Sequence, residues 1–240
     1  ARLWVLLGAC TLIAVVGVLD DLLDLDWMVK LGAQLAAAGL LAWNGIQIVS
    51  LPFGDTLIVG SPTVNFVLTV FLMTLVMNAV NFVDGLDGLV AGVAIIANAA
   101  FFIYTQLLTA QTGADSSITL AALIAATIVG ISAGFLPFNW HRARMFMGDT
   151  GALLIGLLMA TSTVSVTGQL NPAQLDQKLV LASYIPIILP IAVLAVPLAD
   201  FTLAVCRRLL AGKSPFEADR KHLHHRLLDM GHSPLQAKRC

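Results

Sequence analysis

Long apolar runs dominate the chain, and each is close to the roughly 20 residues that a helix needs to cross a hydrocarbon core of about 30 Å. Seven stretches qualify: Leu3–Leu19, Leu31–Val49, Pro62–Phe82, Leu89–Ala110, Ile118–Phe138, Ala152–Gly168 and Leu179–Val205. The pattern predicts an all-α fold, a polytopic transmembrane helical bundle with about seven spans. The last stretch carries Pro186, Pro190 and Pro197 and is expected to be kinked or broken. Small residues such as Ala36–Gly39, or Gly92 with Ala97, suit close helix packing in lipid, although ordinary membrane-helix composition accounts for them equally well.

Composition agrees with a lipid solvent. Of 240 residues, 58% are hydrophobic and 11% charged, against about 25% charged in a soluble domain. Such a chain cannot cover a water-facing globule. A net charge of −1 gives no reason to expect a nucleic-acid partner. Cys10, Cys206 and Cys240 match no metal spacing and read as apolar fillers plus one tail residue, with no disulfide suggested. The chain starts at Ala1 with no signal-peptide pattern, and is expected to be a fragment of something longer.

Charge is distributed by side. Residues 50–61, 111–117 and 168–178 connect spans with almost no Lys or Arg. Residues 20–30, 83–88, 139–151 and the segment after Cys206 fall on the other side and carry every Lys and Arg except Arg2 and Lys178. The positive-inside rule makes that side cytoplasmic. The division expected is a membrane core over 1–205 and a basic, histidine-rich loop or tail over 206–240.

Three groups of acids gather on the same side. Asp20, Asp21, Asp24 and Asp26 follow the first span, Asp84 and Asp87 the third, and Asp149 the fifth. One such acid is ordinarily a solvated helix end, and for Asp24 and Asp26 that reading is preferred. Three groups together point further. The adjacent pair Asp20–Asp21 repels itself unless a cation or a proton intervenes. Oxygen-only ligands suit Mg²⁺, which usually takes one or two carboxylates plus substrate phosphates. Asn78, Asn81 and Asp84 recur every third residue and share one drifting helix face, with Gly85 and Gly88 allowing close backbone approach. Hydrogen bonding between helices is the competing role, strongest for Asn78. Asp149 stands at a helix start, either as its N-cap or beside a phosphate drawn by free N–H groups. Arg142 and Arg144 are phosphate partners or markers of the membrane edge. Further on, His222, His224 and His225 lack a fourth ligand at zinc spacing. Beside Arg220, Lys221 and Arg226 they fit contact with a pyrophosphate, or a polybasic tail on anionic lipid.

The segments DDLLD (20–24), NAVNFVDGLDGL (78–89), FNWHRARMFMGDTG (138–151) and SPFEADRKHLHHRL (214–227) together resemble the polyprenyl-phosphate N-acetylhexosamine-1-phosphate transferase superfamily, glycosyltransferase family 4. HLHHRLLDMGHS is similar to the WecA/TagO type, which uses UDP-GlcNAc. The UDP-MurNAc-pentapeptide branch (MraY) is a relative and the second choice. The resemblance implies a phosphoglycosyltransferase in the bacterial inner membrane with a cytoplasmic active site. Its partners would be a UDP-sugar donor and a polyprenyl phosphate acceptor, and a homodimer is one expected assembly. Mg²⁺ would be the cofactor, with Mn²⁺ as its substitute. By motif, Asp20 and Asp21 correspond to the catalytic pair near the lipid phosphate, and Asp84 and Asp87 to further catalytic positions. Asp149 and Asn81 correspond to metal-holding positions. Asn139 and Phe146 correspond to positions near the uracil, and Arg220, His222, His224 and His225 to the donor-contacting loop. Family members have about ten or eleven spans, more than are present here. The rival from another class is a transporter, which would place acids near the midplane. Asp200 is the one acid well inside a span, and it falls near that span's cytoplasmic end.

Overall fold

The computed structural model describes residues 2–48, 50–53, 56–84, 87–112, 116–140 and 143–167. They form six helices: α1 (Arg2–Leu23), α2 (Trp27–Trp43), α3 (Pro62–Val83), α4 (Leu89–Thr112), α5 (Ser116–Asn139) and α6 (Gly148–Thr167). A short antiparallel hairpin joins α2 to α3. In it β1 (Ser50–Phe53) pairs with β2 (Thr56–Val59), Ser50 opposite Val59 and Phe53 opposite Thr56. The helical bundle is as expected, and six of the seven apolar stretches fall on these helices. The seventh, Leu179–Val205, and the segment 206–240 lie outside the described residues. Among the described residues, five helices are long and apolar enough to cross a membrane, namely α1, α3, α4, α5 and α6.

The second stretch is the one whose bounds the structure corrects. It was expected at Leu31–Val49, but α2 runs from Trp27 to Trp43, 17 residues. Asp26 starts it early, its carboxylate accepting from the Met28 N–H at 2.8 Å. Asn44 and Gly45 end it: the Asn44 N–H reaches Leu40 O at 3.3 Å, and Gly45 sits at φ +83°. Ile46 and Ile48 beyond it are buried without being helical. The Ile48 N–H is instead satisfied by Thr69 Oγ1 of α3 at 2.9 Å. Apolarity signalled burial there, not helix.

α6 is the central helix, more than three-quarters buried, packed against α1, α3 and α5. Two glycines set how close its neighbours come. A Cβ on Gly17 of α1 would stand 2.5 Å from Thr150 Cα, and one on Gly156 of α6 would stand 2.7 Å from Met77 Cα of α3. In lipid such contacts substitute for the hydrophobic drive that water would supply. The main core runs from Leu6, Ala9 and Ile13 of α1 through Ala37, Ala38 and Leu41 of α2 to Met73 and Met77 of α3 and Leu157 and Ala160 of α6. Phe101, Tyr104 and Leu108 of α4 form a second cluster with Ala121 and Ala125 of α5. Outward positions such as Trp4, Val15, Phe71, Ile96 and Ile103 stay exposed, as a lipid solvent permits. Because successive helices reverse, one end of the bundle receives the ends of α1, α3 and α5 and the starts of α2, α4 and α6.

Candidate active site at the charged end of the bundle

α1 closes with the Asp24 N–H on Asp20 O at 2.9 Å and with Asp24 in the left-handed region, φ +53°. That turn brings the Leu25 N–H back to the buried Asp20 carboxylate, which accepts it at 2.9 Å. Its second oxygen faces Lys30 of α2: Nζ lies 3.0 Å from Asp20 Oδ2 and 3.2 Å from Asp149 Oδ2 of α6. Lys30 thus joins two acids 129 residues apart in the chain. Sequence reasoning used Lys30 only as a marker of sidedness, because nothing local distinguishes it from any other interfacial lysine.

Asp21 does different work from its neighbour. Its Oδ1 accepts from the Asp149 N–H at 3.0 Å, and its Oδ2 accepts from Thr150 Oγ1 at 2.7 Å and from the Thr150 N–H at 3.4 Å. Asp21 therefore caps α6 from another helix. Asp149, for which an N-cap role was open, sits inside the first turn instead. Free N–H groups at a helix start otherwise attract phosphate, but here Asp21 already occupies those of Asp149 and Thr150. Gly148, at φ +66°, makes the approach possible, since a Cβ there would lie 2.9 Å from Asp21 Oδ2.

Asp84 is the C-cap of α3, its N–H on Asn81 O at 3.3 Å. Burial pushes its carboxyl up to about 7, and the negative fields of Asp149 and Asp21 add to the rise. Asn81 occupies the last turn of α3, partly buried. One turn deeper, Asn78 exchanges amide hydrogen bonds with Gln34 of α2, Gln34 Nε2 to Asn78 Oδ1 being 3.4 Å. That is the interhelical role weighed for Asn78, with a partner the sequence did not name.

Two loops complete the end. Asn139 is buried, its Oδ1 accepting from the Gly88 N–H at 2.8 Å and its Nδ2 donating to Met145 O at 2.9 Å. Asp87 Oδ2 accepts from the Ala143 N–H at 3.3 Å. Phe146 and Trp140 stand exposed beside them, 53% and 63% accessible, so aromatic faces are available at this surface. Arg220, His222, His224 and His225 lie outside the described residues, as do His141 and Arg142.

The donor set suits a hard divalent cation. Among the described residues, no three Asp, Glu, His or Cys side chains come together as a full ligand set. Mg²⁺ seldom asks for one, since phosphates and water complete its shell. Asp21 and Asp149 both act on Asp84, and the Lys30 ammonium bridges Asp149 to Asp20. Oxygen donors with that excess of negative charge fit the ion.

A family model described as glycosyl transferase family 4 matches residues 3–167. The chain is 39% identical over 230 residues to a decaprenyl-phosphate N-acetylglucosaminephosphotransferase of Mycobacterium leprae (strain TN), covering 95% of this chain and 58% of that protein. It is 31% identical over 238 residues to an undecaprenyl-phosphate alpha-N-acetylglucosaminyl 1-phosphate transferase of Yersinia pestis, covering 96% of this chain and 60% of that protein. The chain spans about three-fifths of the length of these relatives. With its helical bundle and four motifs in order, the chain belongs to glycosyl transferase family 4.

Proposed function

We propose that this protein transfers N-acetylhexosamine 1-phosphate, with GlcNAc the favoured sugar, from a UDP-sugar to a polyprenyl phosphate in the bacterial plasma membrane, releasing UMP on the cytoplasmic side. One observation carries the reading. Asp20 and Asp21, Asp84, and Asp149 come from three distant segments and meet at one end of the bundle: Lys30 bridges Asp20 to Asp149, Asp21 accepts from the Asp149 N–H, and Asp84 feels the charge of Asp149 and Asp21. The names of the relatives support the acceptor and the sugar. The acids stand at helix ends, where a phosphorylated lipid headgroup and a soluble nucleotide can both reach them, and not at mid-membrane as a carrier would place them.

When bound, Mg²⁺ supplies positive charge against the donor pyrophosphate and the leaving UMP, and Asp149 with Asn81 are the residues that would hold it. The chain's own groups do the positioning. Asp21 fixes the first turn of α6 and so the placing of Asp149. Lys30 holds its ammonium between Asp20 and Asp149, from which it can turn toward a phosphate oxygen. Asp20 holds the Lys30 ammonium that orients the lipid phosphate for in-line attack. A phosphate's second pKa is about 6, so near pH 7 the acceptor needs little help in losing a proton, and orientation is the larger service. Phe146 and Trp140 offer aromatic faces at the nucleotide's end.

The test uses the full-length protein with radiolabelled UDP-GlcNAc and polyprenyl phosphate. UMP release that depends on the lipid and on Mg²⁺ is the expected result. Solute flux without UMP release would overturn the reading, and a panel of UDP-sugars would name the sugar.

A further inference from the structure

Asn139 is a buried polar side chain at the charged end, outside the acid cluster, with both of its amide atoms bonded. It is 5% exposed, its carbonyl oxygen takes the Gly88 N–H at 2.8 Å, and its amide donates to Met145 O at 2.9 Å. Those two partners belong to different loops, one following α3 and one preceding α6. A second tie crosses the same gap, from the Ala143 N–H to Asp87 Oδ2 at 3.3 Å. The Arg144 and Met145 N–H groups both return to Phe138 O, at 2.8 and 3.2 Å, so the loop that Asn139 grips is itself folded back on the end of α5. Gly88 sits at φ +73°, and a Cβ there would lie 3.7 Å from Asn139 O and 3.9 Å from the Trp140 ring. The loop before α6 carries exposed Phe146, and the loop after α3 carries Asp87.

We propose that Asn139 is a positioning residue, a buried clamp that locks the two loops into one platform for the nucleotide end of the donor and does not itself touch the base. The proposal rests on the transferase reading for what the platform holds, but the clamp is testable without it. An amide suits the post because it presents an acceptor and a donor in one plane, and each loop needs the opposite one. Asp at this position keeps the acceptor for Gly88 and sets an oxygen against Met145 O. Leu keeps the bulk and loses both.

The experiment pairs donor kinetics with amide hydrogen exchange on full-length protein free of donor, comparing wild type with Asn139→Ala and Asn139→Asp. In Asn139→Ala, exchange should quicken in the peptides containing Gly88 and in those containing 143–145, together, while α6 beyond its first turn stays protected. The KM for the UDP-sugar should rise about tenfold, with the polyprenyl phosphate KM and kcat changing much less. Asn139→Asp should keep the Gly88 peptide protected and loosen the other, which also serves if the alanine variant folds poorly. A raised donor KM with both loops as protected as in wild type would overturn the proposal, since Asn139 would then contact the donor itself. Faster exchange in one loop alone in Asn139→Ala would overturn it too. Wild type that releases no UMP would sink the transferase reading while the exchange result still decides the clamp.

Discussion

Polar side chains inside the bundle bond to their own helix, whereas those at its charged end bond across the chain. Thr161, Thr163 and Ser165 of α6 and Asn98 of α4 each donate to the carbonyl four residues back, at 2.7–2.9 Å. Such bonds satisfy a group in lipid but specify nothing about which helix stands beside which. At the charged end, Lys30 reaches Asp149, Asp21 reaches Thr150, and Asn139 reaches Gly88, partners 119, 129 and 51 positions apart. There the bonds fix the relative placing of helices, so the arrangement that makes the chemistry also holds the end together. The interior settles neighbours by a different device, backbone contact at Gly17 and Gly156.

If the contrast is right, Asp149→Ala should be the most damaging change to function and a mild one to fold. Its side chain answers a partly exposed Lys30, and an ion pair of that kind is worth little to stability. As the proposed metal-holding group it should cost turnover by about 10²–10³-fold or more. UMP release and thermal melting of the same preparation check both halves. Near-normal turnover with Mg²⁺ present would remove Asp149 from the site.

Gly17→Ala attacks the contrast from the interior side. The added Cβ meets the Thr150 backbone, which cannot swing aside as a side chain could. Overpacking of this kind costs about 1–3 kcal/mol, and here it also pushes on the turn that holds Asp149. Melting temperature and turnover should therefore fall together, although no polar group has been touched. Gly8→Ala, on the same helix with nothing within 4 Å, is the control and should change neither. Equal behaviour of the two variants would show that close α1–α6 approach does not set the site.

The amide pair between Gln34 and Asn78 is one exception in the interior, a cross-helix bond between α2 and α3, as the Ile48 N–H on Thr69 is another. Gln34→Leu leaves the Asn78 carbonyl without that partner, and the cost should be about 0.6–1.7 kcal/mol. Gln34→Leu with Asn78→Leu should recover part of it, because neither helix then holds an unmatched amide. Chemical or thermal unfolding in detergent measures this. A double variant as weak as the sum of the singles would show that the pair does not act as one unit.

How much of this was legible in the sequence follows the same division. Apolar run length fixed the helices well, because lipid leaves a spanning chain few other ways to satisfy its backbone. It failed at Ile46 and Ile48, which are buried outside any helix, and it missed the early start at Trp27 set by Asp26. The acids were legible as a set because their clustering at span ends is local. Their division of labour was not. Asp20 and Asp21 are neighbours with the same side chain, and one helical step of about 100° turns one toward Lys30 and the other toward α6. Lys30, Thr150 and the Gln34 partner were invisible for the same reason: each acts on a residue at least 44 positions away.

Asp84 reads the site without turnover. Burial and the fields of Asp149 and Asp21 push its carboxyl from the ordinary 3.8 to about 7 in the folded protein. The fold thus binds a proton that the unfolded chain gives up. Linkage makes the associated stability fully present below about 3.8 and lost as pH rises through about 7, with no further change above. Melting temperature in EDTA should decline over that window, and Asp84→Asn, which cannot ionise, should flatten the decline. Asp149→Asn should shrink it by removing one of the two fields. Adding Mg²⁺ should do the same in the wild type, because a cation beside Asp149 cancels the repulsion that Asp84 feels. A decline untouched by both Asp149→Asn and Mg²⁺ would mean that burial alone raises Asp84, and that the acids at this end do not share one electrostatic site.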